Sequence, residues 1–396
     1  MLFEEELHIK NIHFKEERTM KKKLVAVLLS TAMVFSLAAC GGGEEKPAEE
    51  GATTEKTEEG GGESKDYHFE VIVKSFQSTY WQAAVQGIEK ACGELGVTAE
   101  SNGPATESDI ADQVQMLDNV IEKKPDGIGL AACDTQSVEK SLQAALDAGI
   151  PVVCFDTGVD NAPEGSVYAT VATDNAQAGG VAAENMFPVI EEKVKAATAD
   201  KKVRIGEVNQ DATAQNIQQR GIGFINKMIE LCTEAGKKVA VVGNEFYVNA
   251  AEGAVKEAEA EVVIEVGVPA QTTPDLAATE AQKIMSKEDT IGIFGSNQVT
   301  AEGLIQANNT LNLLSTDPEK GIIGVGFDAG TPQKEAIMNG QFIGSVTQSP
   351  LMMGYECIYT LTDICDGKDV EDLPMEGYWY NSENMEDEQI APNLYD

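Results

Sequence analysis

The stretch KPDGIGLAACDTQSVEKSLQAALDAGIPVVCFD, residues 124–156, carries the pattern that decides the fold. Its two apolar runs, Asp126–Ala131 and Pro151–Phe155, have the length of strands, and they enclose a helical pattern near Val138–Ala148. Gly149 follows the helix as a C-cap that leads directly into the second run. Runs this apolar are typical of strands buried on both faces of a parallel sheet, so the stretch predicts a strand–helix–strand unit.

The same alternation continues in both directions along the chain. On the N-terminal side, strands are expected at Phe69–Lys74 and Val97–Glu100, with helical stripes from Trp81 to Leu95 and from Ile110 to Ile121. After a pause near residues 160–165, further strands are predicted with helical stretches between most of them: Val203–Val208, Val239–Val242, Val262–Val266, Ile291–Phe294, Ile322–Phe327 and Phe342–Val346. About ten such units exceed one doubly wound domain and predict two similar α/β sheets.

The composition excludes several classes of function. The chain has 396 residues, with 29 Lys and Arg against 66 Asp and Glu, and its net charge of −37 argues against nucleic-acid binding. A mean hydropathy of −0.21 does not suggest a multi-span membrane protein. Only His8, His13 and His68 could supply imidazole, so histidine-based catalysis and a His-rich zinc site are close to excluded, and we expect no metal or cofactor.

An export signal begins at Met20. MKKK is followed by the apolar run Leu24–Leu37 and by two alanines before Cys40, which is the order of a basic region, a short apolar region and a small-residue cleavage site. LAAC, residues 37–40, resembles a bacterial lipobox, which implies that Cys40 is lipidated; an ordinary signal with an incidental cysteine is the alternative. Residues 1–19 are too acidic for such a signal, so we interpret them as a mis-assigned extension and residues 20–39 as the signal peptide.

The segment after Cys40 is predicted to be a disordered acidic tether. Residues 41–66 contain no large apolar side chain and cannot bury enough surface to offset the entropy of ordering. We therefore expect residues 40–66 to hold a globular domain at the outer face of the bacterial cytoplasmic membrane.

The six other cysteines form no CxxC and no metal-like spacing, and the sequence leaves open whether they pair as disulfides.

Polar side chains follow the ends of the predicted strands, where ligands bind in open parallel sheets. Amides and carboxylates gather there with Tyr80 and Trp81 nearby, and they include Asp134, Asp156, Asn209, Gln210, Asp211, Asn297, Gln298, Asp328 and Gln348. Such groups hydrogen-bond hydroxyls, and aromatic faces cover the apolar C–H patches of a sugar. The pattern predicts a hollow for one saccharide between two halves of the molecule.

Eight motifs occur in order along the chain: YWQAAVQGIEKACGELG (80–96), KPDGIGLAACDTQSV (124–138), AGIPVVCFD (148–156), TDNAQAGG (173–180), QRGIGF (219–224), IFGSNQVTAEGLI (293–305), VGFDAGTP (325–332) and GSVTQSPLMMG (344–354). Through them the chain from about Phe69 to Tyr380 resembles a periplasmic binding protein of type 1. It is similar to the ribose-, allose- and galactose-type sugar-binding lipoproteins that feed ABC transporters.

The resemblance implies a fold and a set of site residues. Two doubly wound lobes joined by a three-strand hinge would close over one sugar, with lobe 1 at residues 67–173 plus 349–376 and lobe 2 at residues 174–348 plus 377–396. Thr157 and Ser78 depart from the ribose type, which carries arginine and asparagine there, and this argues against ribose itself. A neutral or near-neutral monosaccharide still fits, because one arginine between two carboxylates leaves little net charge for an anionic ligand. The implied ligand-binding residues are the ring-stacking Tyr80 and Trp81, the acceptors Asp156 and Asp328, the donor Arg220, the second-lobe Asn297 and the hinge amide Gln348.

The resemblance implies a monomeric binding protein, not an enzyme, that delivers a monosaccharide to an ABC-transporter permease. A sensor that presents the sugar to a membrane receptor is an alternative that the sequence does not separate. A glycosidase-like enzyme using Asp156 and Asp328 is disfavoured, because the adjacent arginine is expected to lower the pKa of both carboxyls. A transcription regulator would need a helix-turn-helix segment, which the sequence lacks. Structural roles also remain open: turn formation for the aspartates, core packing for Trp81 and a surface ion pair for Arg220.

Overall fold

The structure is a computed structural model that describes residues 66–395. The predicted extension, the signal peptide, Cys40 and the tether up to residue 65 lie outside the described residues. Among residues 66–395, no helix combines the length and the apolarity that a membrane crossing requires.

The N-terminal part of the described chain alternates strands and helices. Its elements are β1 (His68–Ile72), α1 (Thr79–Leu95), β2 (Thr98–Asn102), α2 (Ile110–Lys123), β3 (Gly127–Leu130), α3 (Glu139–Asp147), β4 (Val152–Phe155) and β5 (Ala169–Thr173). All four residues of β3 and of β4 are buried, which agrees with the apolar runs that predicted them.

The remaining elements continue the alternation. They are α4 (Asn175–Ala196), β6 (Val203–Val208), α5 (Gln215–Glu234), β7 (Val239–Gly243), α6 (Glu245–Ala250), β8 (Val262–Gly267), α7 (Pro274–Met285), β9 (Thr290–Gly295), α8 (Gln298–Leu311), β10 (Ile323–Phe327), α9 (Thr331–Met338), β11 (Phe342–Thr347), α10 (Pro350–Cys365), β12 (Leu373–Met375) and β13 (Tyr378–Tyr380). Two single-turn 3₁₀ helices cover Glu257–Glu259 and Ala391–Asn393.

The strands form two sheets. The first has the order β12-β5-β4-β3-β1-β2 and is parallel throughout. The second has the order β13-β11-β10-β9-β6-β8-β7 and is parallel except for β13, which pairs antiparallel with β11. The prediction of two doubly wound parallel sheets is confirmed.

The chain passes from one sheet to the other three times. The passages lie between Thr173 and Asn175, between Thr347 and Pro350, and between Met375 and Tyr378. Because three connections cross at the same side of the two sheets, the carboxyl ends of both sets of parallel strands face a common cleft. The lobe limits proposed above at residues 173/174, 348/349 and 376/377 stay a prediction.

Glycines allow close helix pairs in both halves. A Cβ at Gly87 in α1 would lie 1.8 Å from the carbonyl oxygen of Leu351, and one at Gly354 in α10 would lie 2.1 Å from that of Ala84. In the second half, a Cβ at Gly179 in α4 would lie 2.0 Å from the carbonyl oxygen of Arg220. The backbones of these helices therefore touch, and this contact holds the N-terminal ends of α1 and α5 beside the cleft.

Three strands were not predicted. β5 falls just after the pause near residue 165, and only alternate residues of it are fully buried. β12 and β13 have three residues each, which is too short for a periodic pattern to show. β1 also ends at Ile72, so Lys74, which the prediction placed in the strand, lies in the turn that enters the cleft.

Candidate functional site

One buried cavity lies where the carboxyl ends of the two sheets face each other. Six of its lining residues come from the first half of the chain, namely Lys74, Ser78, Tyr80, Trp81, Glu107 and Asp156. The others are Gln210, Asn216, Ile217, Arg220, Asn297, Gln298, Val299, Asp328 and Gln348. The structure thus brings all seven predicted ligand-binding residues to one place; their role in binding stays a prediction.

Asp156 and Asp328 occupy equivalent positions in the two halves. Each follows a central strand, β4 or β10, and each has a left-handed backbone, with φ of 64° and 70°. The amide N–H of Asp156 donates to the carbonyl of Val171 in β5, and that of Asp328 donates to Val346 in β11. This conformation is uncommon for residues other than glycine, although aspartate tolerates it, and it turns both carboxylates into the cleft.

The Asp156 carboxylate is fully hydrogen-bonded within the protein. Its Oδ1 accepts a short hydrogen bond from the Tyr80 hydroxyl. Its Oδ2 accepts from Nδ2 of Asn216 at 2.9 Å and lies 3.1 Å from Nζ of Lys74. Because burial and the neighbouring Asp156 raise the pKa of Tyr80 well above its usual value, this hydroxyl remains a donor at physiological pH.

Lys74 supplies a buried cation that the sequence analysis did not place in the site. Its side chain is almost completely buried, and its Nζ donates to Oδ1 of Asn216 at 3.0 Å, across the cleft. Burial lowers the pKa of Lys74, but the carboxylates of Asp156, Glu107 and Asp211 raise it by more, so the amine stays charged.

The Asp328 carboxylate accepts two hydrogen bonds, one from the beginning of α8 and one from the side chain that follows β11. Oδ2 accepts from the backbone N–H of Gln298 at 2.9 Å, and Oδ1 accepts from Nε2 of Gln348 at 2.7 Å. Burial raises the pKa of Asp328, and this effect exceeds the lowering by Arg220. Arg220 thus lowers the pKa of Asp328 as expected, but the net pKa is raised because the cost of burying the charge dominates.

Arg220 is fully buried rather than part of a surface ion pair. Its Nε and Nη2 donate to Oδ1 of Asn175 at 3.2 and 2.8 Å, and its Nη1 donates to the carbonyl of Ser296 at 2.8 Å. The guanidinium also stacks 3.7 Å above the ring of Phe327. Arg220 is therefore fixed in direction before any ligand arrives, with donor hydrogens left over for the cavity.

Trp81 serves both the core and the cavity wall. It is 2% exposed, packs edge-on against Tyr80 and Phe155, and belongs to the apolar cluster of the first half. Its Nε1 donates to Oε1 of Glu107 at 2.8 Å. Burial raises the pKa of Glu107, while Lys74 and the donated hydrogen bond lower it. The sequence left core packing, mixed use and ring stacking open for Trp81; the structure shows core contacts together with a place in the cavity wall, and stacking on a sugar stays a prediction.

The two halves bond directly to each other across the cavity. Gln210 donates to Oε2 of Glu107 at 2.8 Å, and Gln298 donates to the hydroxyl of Thr79 at 3.0 Å. Asn297 caps α8 through the N–H of Thr300 and also donates to Gln210. The cavity that remains is about 20 Å³, room for about one water molecule. The predicted hollow of saccharide size is therefore not seen among the described residues, because the side chains that line the cavity hydrogen-bond to one another.

Lys74, Glu107 and Asn216 were missed by sequence reasoning. Lys74 ended an apolar run and looked like part of a strand, and Glu107 lies in the loop before α2 without any pattern. Asn216 lies near the beginning of α5 and not at the end of a predicted strand. Its position near the N-terminus of α5, opposite the end of β4, was the one available signal.

Two further groups of side chains bear on cofactors and on redox chemistry. His68, Glu70 and Glu100 have ligand atoms within 4.8 Å of one another, but Nζ of Lys123 lies 2.6 Å from Glu70 and already supplies a cation there. Five cysteines are free thiols in the structure: Cys92, Cys133, Cys154, Cys232 and Cys357. Burial raises the pKa of Cys154 to about 12, so this thiol is unreactive.

Comparison with known proteins assigns the chain to a family. Residues 69–369 match the model of the periplasmic binding protein domain. The chain belongs to this family. Its resemblance to periplasmic binding proteins, predicted from the eight motifs, is confirmed. Because this is a family of solute-binding proteins, the interpretation as a binding protein rather than an enzyme is confirmed as well.

Relatives of this binding protein extend over most of its length. The ribose import binding protein RbsB of Bacillus subtilis is 22% identical over 312 residues, which cover 78% of this chain and 84% of RbsB. An ABC transporter solute binding protein from Agrobacterium vitis with bound D-fucose is 26% identical, with a TM-score of 0.68 over 83% of this chain and all of that one. A protein from Brachyspira murdochii described as "ABC transporter, LacI family transcriptional regulator" is 28% identical, with a TM-score of 0.69, over 84% and 99% of the chains.

Proposed function

We propose that this chain captures one monosaccharide between its two halves and delivers it to the permease of an ABC transporter. The observation that carries the proposal is the convergence of Tyr80, Asp156, Arg220, Asn297 and Asp328, from both sheets, on one buried cavity. The sugars bound by relatives support the same ligand class.

The chemistry of the cavity fits a neutral polyhydroxy ligand. Two cations, Lys74 and Arg220, face three carboxylates, those of Asp156, Asp328 and Glu107, so no positive charge is left uncompensated for an anionic ligand. Sugar hydroxyls both donate and accept, and can replace the bonds that the side chains now make to each other. Oε1 of Gln298 is buried without a hydrogen-bond partner among the described residues and is an acceptor for such a hydroxyl.

Binding requires the two halves to separate, because the present cavity holds about one water molecule. A sugar then replaces the direct bonds across the cleft, and the closed form with sugar is the state that the permease recognises. Cys40 carries the lipid that keeps the monomeric protein at the outer face of the membrane.

The binding test is a thermal-shift screen of the purified protein over pentoses, hexoses and polyols, followed by calorimetry with each sugar that raises the unfolding temperature. We expect at least one neutral monosaccharide to bind with one-to-one stoichiometry, and Asp156→Ala to abolish the shift. Binding of sugar acids or sugar phosphates in preference to neutral sugars would contradict the charge argument.

The anchoring test uses Cys40→Ala. This variant is expected to bind sugar as the unchanged chain does and to leave the membrane fraction, because the substitution removes the thiol that lipidation needs. Retention of the variant in membranes would contradict the proposed anchor.

A further inference from the structure

The C-terminal segment, residues 381–395, is fixed to the second half of the protein. Ile390 is 8% exposed and packs into the apolar cluster of the second sheet, with Met385 and Leu394 against the same cluster. The hydroxyl of Thr347, at the end of β11, donates to the carbonyl of Asn393 at 2.8 Å. The segment therefore moves with the second half when the cleft opens.

Tyr395 extends from this segment into the cleft and contacts both halves. Its ring meets the ring of Tyr80 edge to face, with centroids 5.8 Å apart and an interplanar angle of 76°. Its hydroxyl accepts a hydrogen bond from the backbone N–H of Ala329 at 3.3 Å. Tyr395 packs against the apolar clusters of both halves.

Both neighbours of Tyr395 belong to the candidate site. Tyr80 lines the cavity and donates to Asp156 in the first half. Ala329 directly follows Asp328, whose left-handed turn is also held by the hydroxyls of Ser345 and Tyr380, which donate to its carbonyl at 3.0 and 2.9 Å. Tyr395 thus connects the two aspartate turns from outside the cavity, through Tyr80 on one side and through the Ala329 amide on the other.

We propose that Tyr395 is a positioning residue for sugar binding: it holds Tyr80 and the Asp328 turn in their closed arrangement and slows the release of bound sugar. This proposal rests on the proposed function, since it assumes that sugar is bound by closure of the cleft. Tyr395 does not line the cavity, and it acts because its contact with Tyr80 is lost when the halves separate.

The kinetic test compares the full chain with Tyr395→Ala and Tyr395→Leu, with D-ribose, D-allose, D-galactose and D-fucose as probes. Tyr395→Leu keeps apolar bulk and guards against a variant that does not fold, and Tyr168→Ala, at a tyrosine that is 48% exposed, is the matched control. For each probe that binds, we expect the dissociation rate to rise about two- to tenfold in both Tyr395 variants, as the loss of one aromatic pair predicts. The binding stoichiometry should not change, and the association rate should not fall, because the contact also stabilises the closed arrangement without sugar.

A purely structural role would lower the fraction of active protein instead, and would leave the dissociation rate of the active molecules unchanged. Wild-type dissociation rates in both Tyr395 variants would overturn the proposal.

A second measurement needs no sugar. Hydrogen exchange of the peptide that contains Ala329 is expected to be faster in Tyr395→Ala than in the unchanged chain, while the peptide covering β5 should exchange as before. If no sugar of the thermal-shift screen binds the unchanged chain, the proposed function fails, and hydrogen exchange then tests the Tyr395 contact by itself. Unaltered exchange at Ala329 in Tyr395→Ala would then overturn the role of Tyr395.

Discussion

The buried pair of Lys74 and Asp156 should couple strongly, and a double-mutant cycle measures that coupling. The two groups lie 3.1 Å apart with 2% and 3% of their side chains exposed. Two unit charges at this distance attract by about 5 kcal/mol at an effective dielectric constant of about 20. Removal of one partner leaves a buried charge, and we expect Lys74→Met and Asp156→Asn each to lower the free energy of unfolding by about 3–5 kcal/mol.

The double variant should be far more stable than the sum of the two losses predicts, because it buries neither charge. Urea unfolding of the sugar-free protein, followed by circular dichroism, gives all four free energies. Lys227→Met is the control: Lys227 pairs with Glu230 at 2.7 Å with 31% and 55% of the two side chains exposed, so its loss should amount to about 1 kcal/mol or less. Additive losses at Lys74 and Asp156, or losses no larger than that of the control, would refute the claim of a coupled buried pair.

Three further predictions concern a buried acid, a helix contact and the cavity wall. Glu207 is fully buried with Oε2 unpaired among the described residues, and burial raises its pKa well above the usual value. The folded chain then holds a proton that the unfolded chain releases above about pH 4.5, so the free energy of unfolding should fall as pH rises. In urea unfolding, Glu207→Gln should therefore stabilise the protein more at pH 8 than at pH 5. An equal effect at both pH values would count against this. Gly87→Ala should lower the free energy of unfolding by about 1–3 kcal/mol, because the added methyl group would overlap the backbone of α10 at Leu351. Gly93→Ala lies in the same helix with open space around it, and it should leave the unfolding temperature unchanged or raise it. Trp81→Ala should lower the free energy of unfolding by about 3–5 kcal/mol because it empties part of the core, a loss that a role in ring stacking alone would not produce.

The order of strands and helices could be predicted from the sequence because strands buried on both faces of a parallel sheet consist of consecutive apolar residues. The stretch at residues 124–156 shows this most directly, since β3, α3 and β4 lie within the predicted ranges. The site residues at strand ends followed from the same logic: once two strands are parallel, Asp156 and Asp328 must lie at the same kind of edge.

What the sequence could not predict depends on tertiary distance. The partner of Asp156 is Lys74, separated from it by 82 positions, and the pairing exists only because the turn after β1 enters the cleft. The raised pKa of Asp328 depends on how completely the side chain is buried, which a sequence pattern does not measure. The size of the cavity depends on how far two rigid halves approach each other, and no local pattern encodes that distance.

The hydrogen bonds that join the halves directly, such as those from Gln210 to Glu107 and from Lys74 to Asn216, have a consequence for sensitivity. Under the proposed function, the donors and acceptors in these bonds are the ones that a sugar would use, so a molecule closed by them alone binds sugar only after the bonds break. Were about one empty molecule in ten open, half-saturation would require about ten times more sugar than the open cleft alone. Substitutions that weaken these internal bonds and leave the contacts to the sugar unchanged would therefore raise the apparent affinity for sugar.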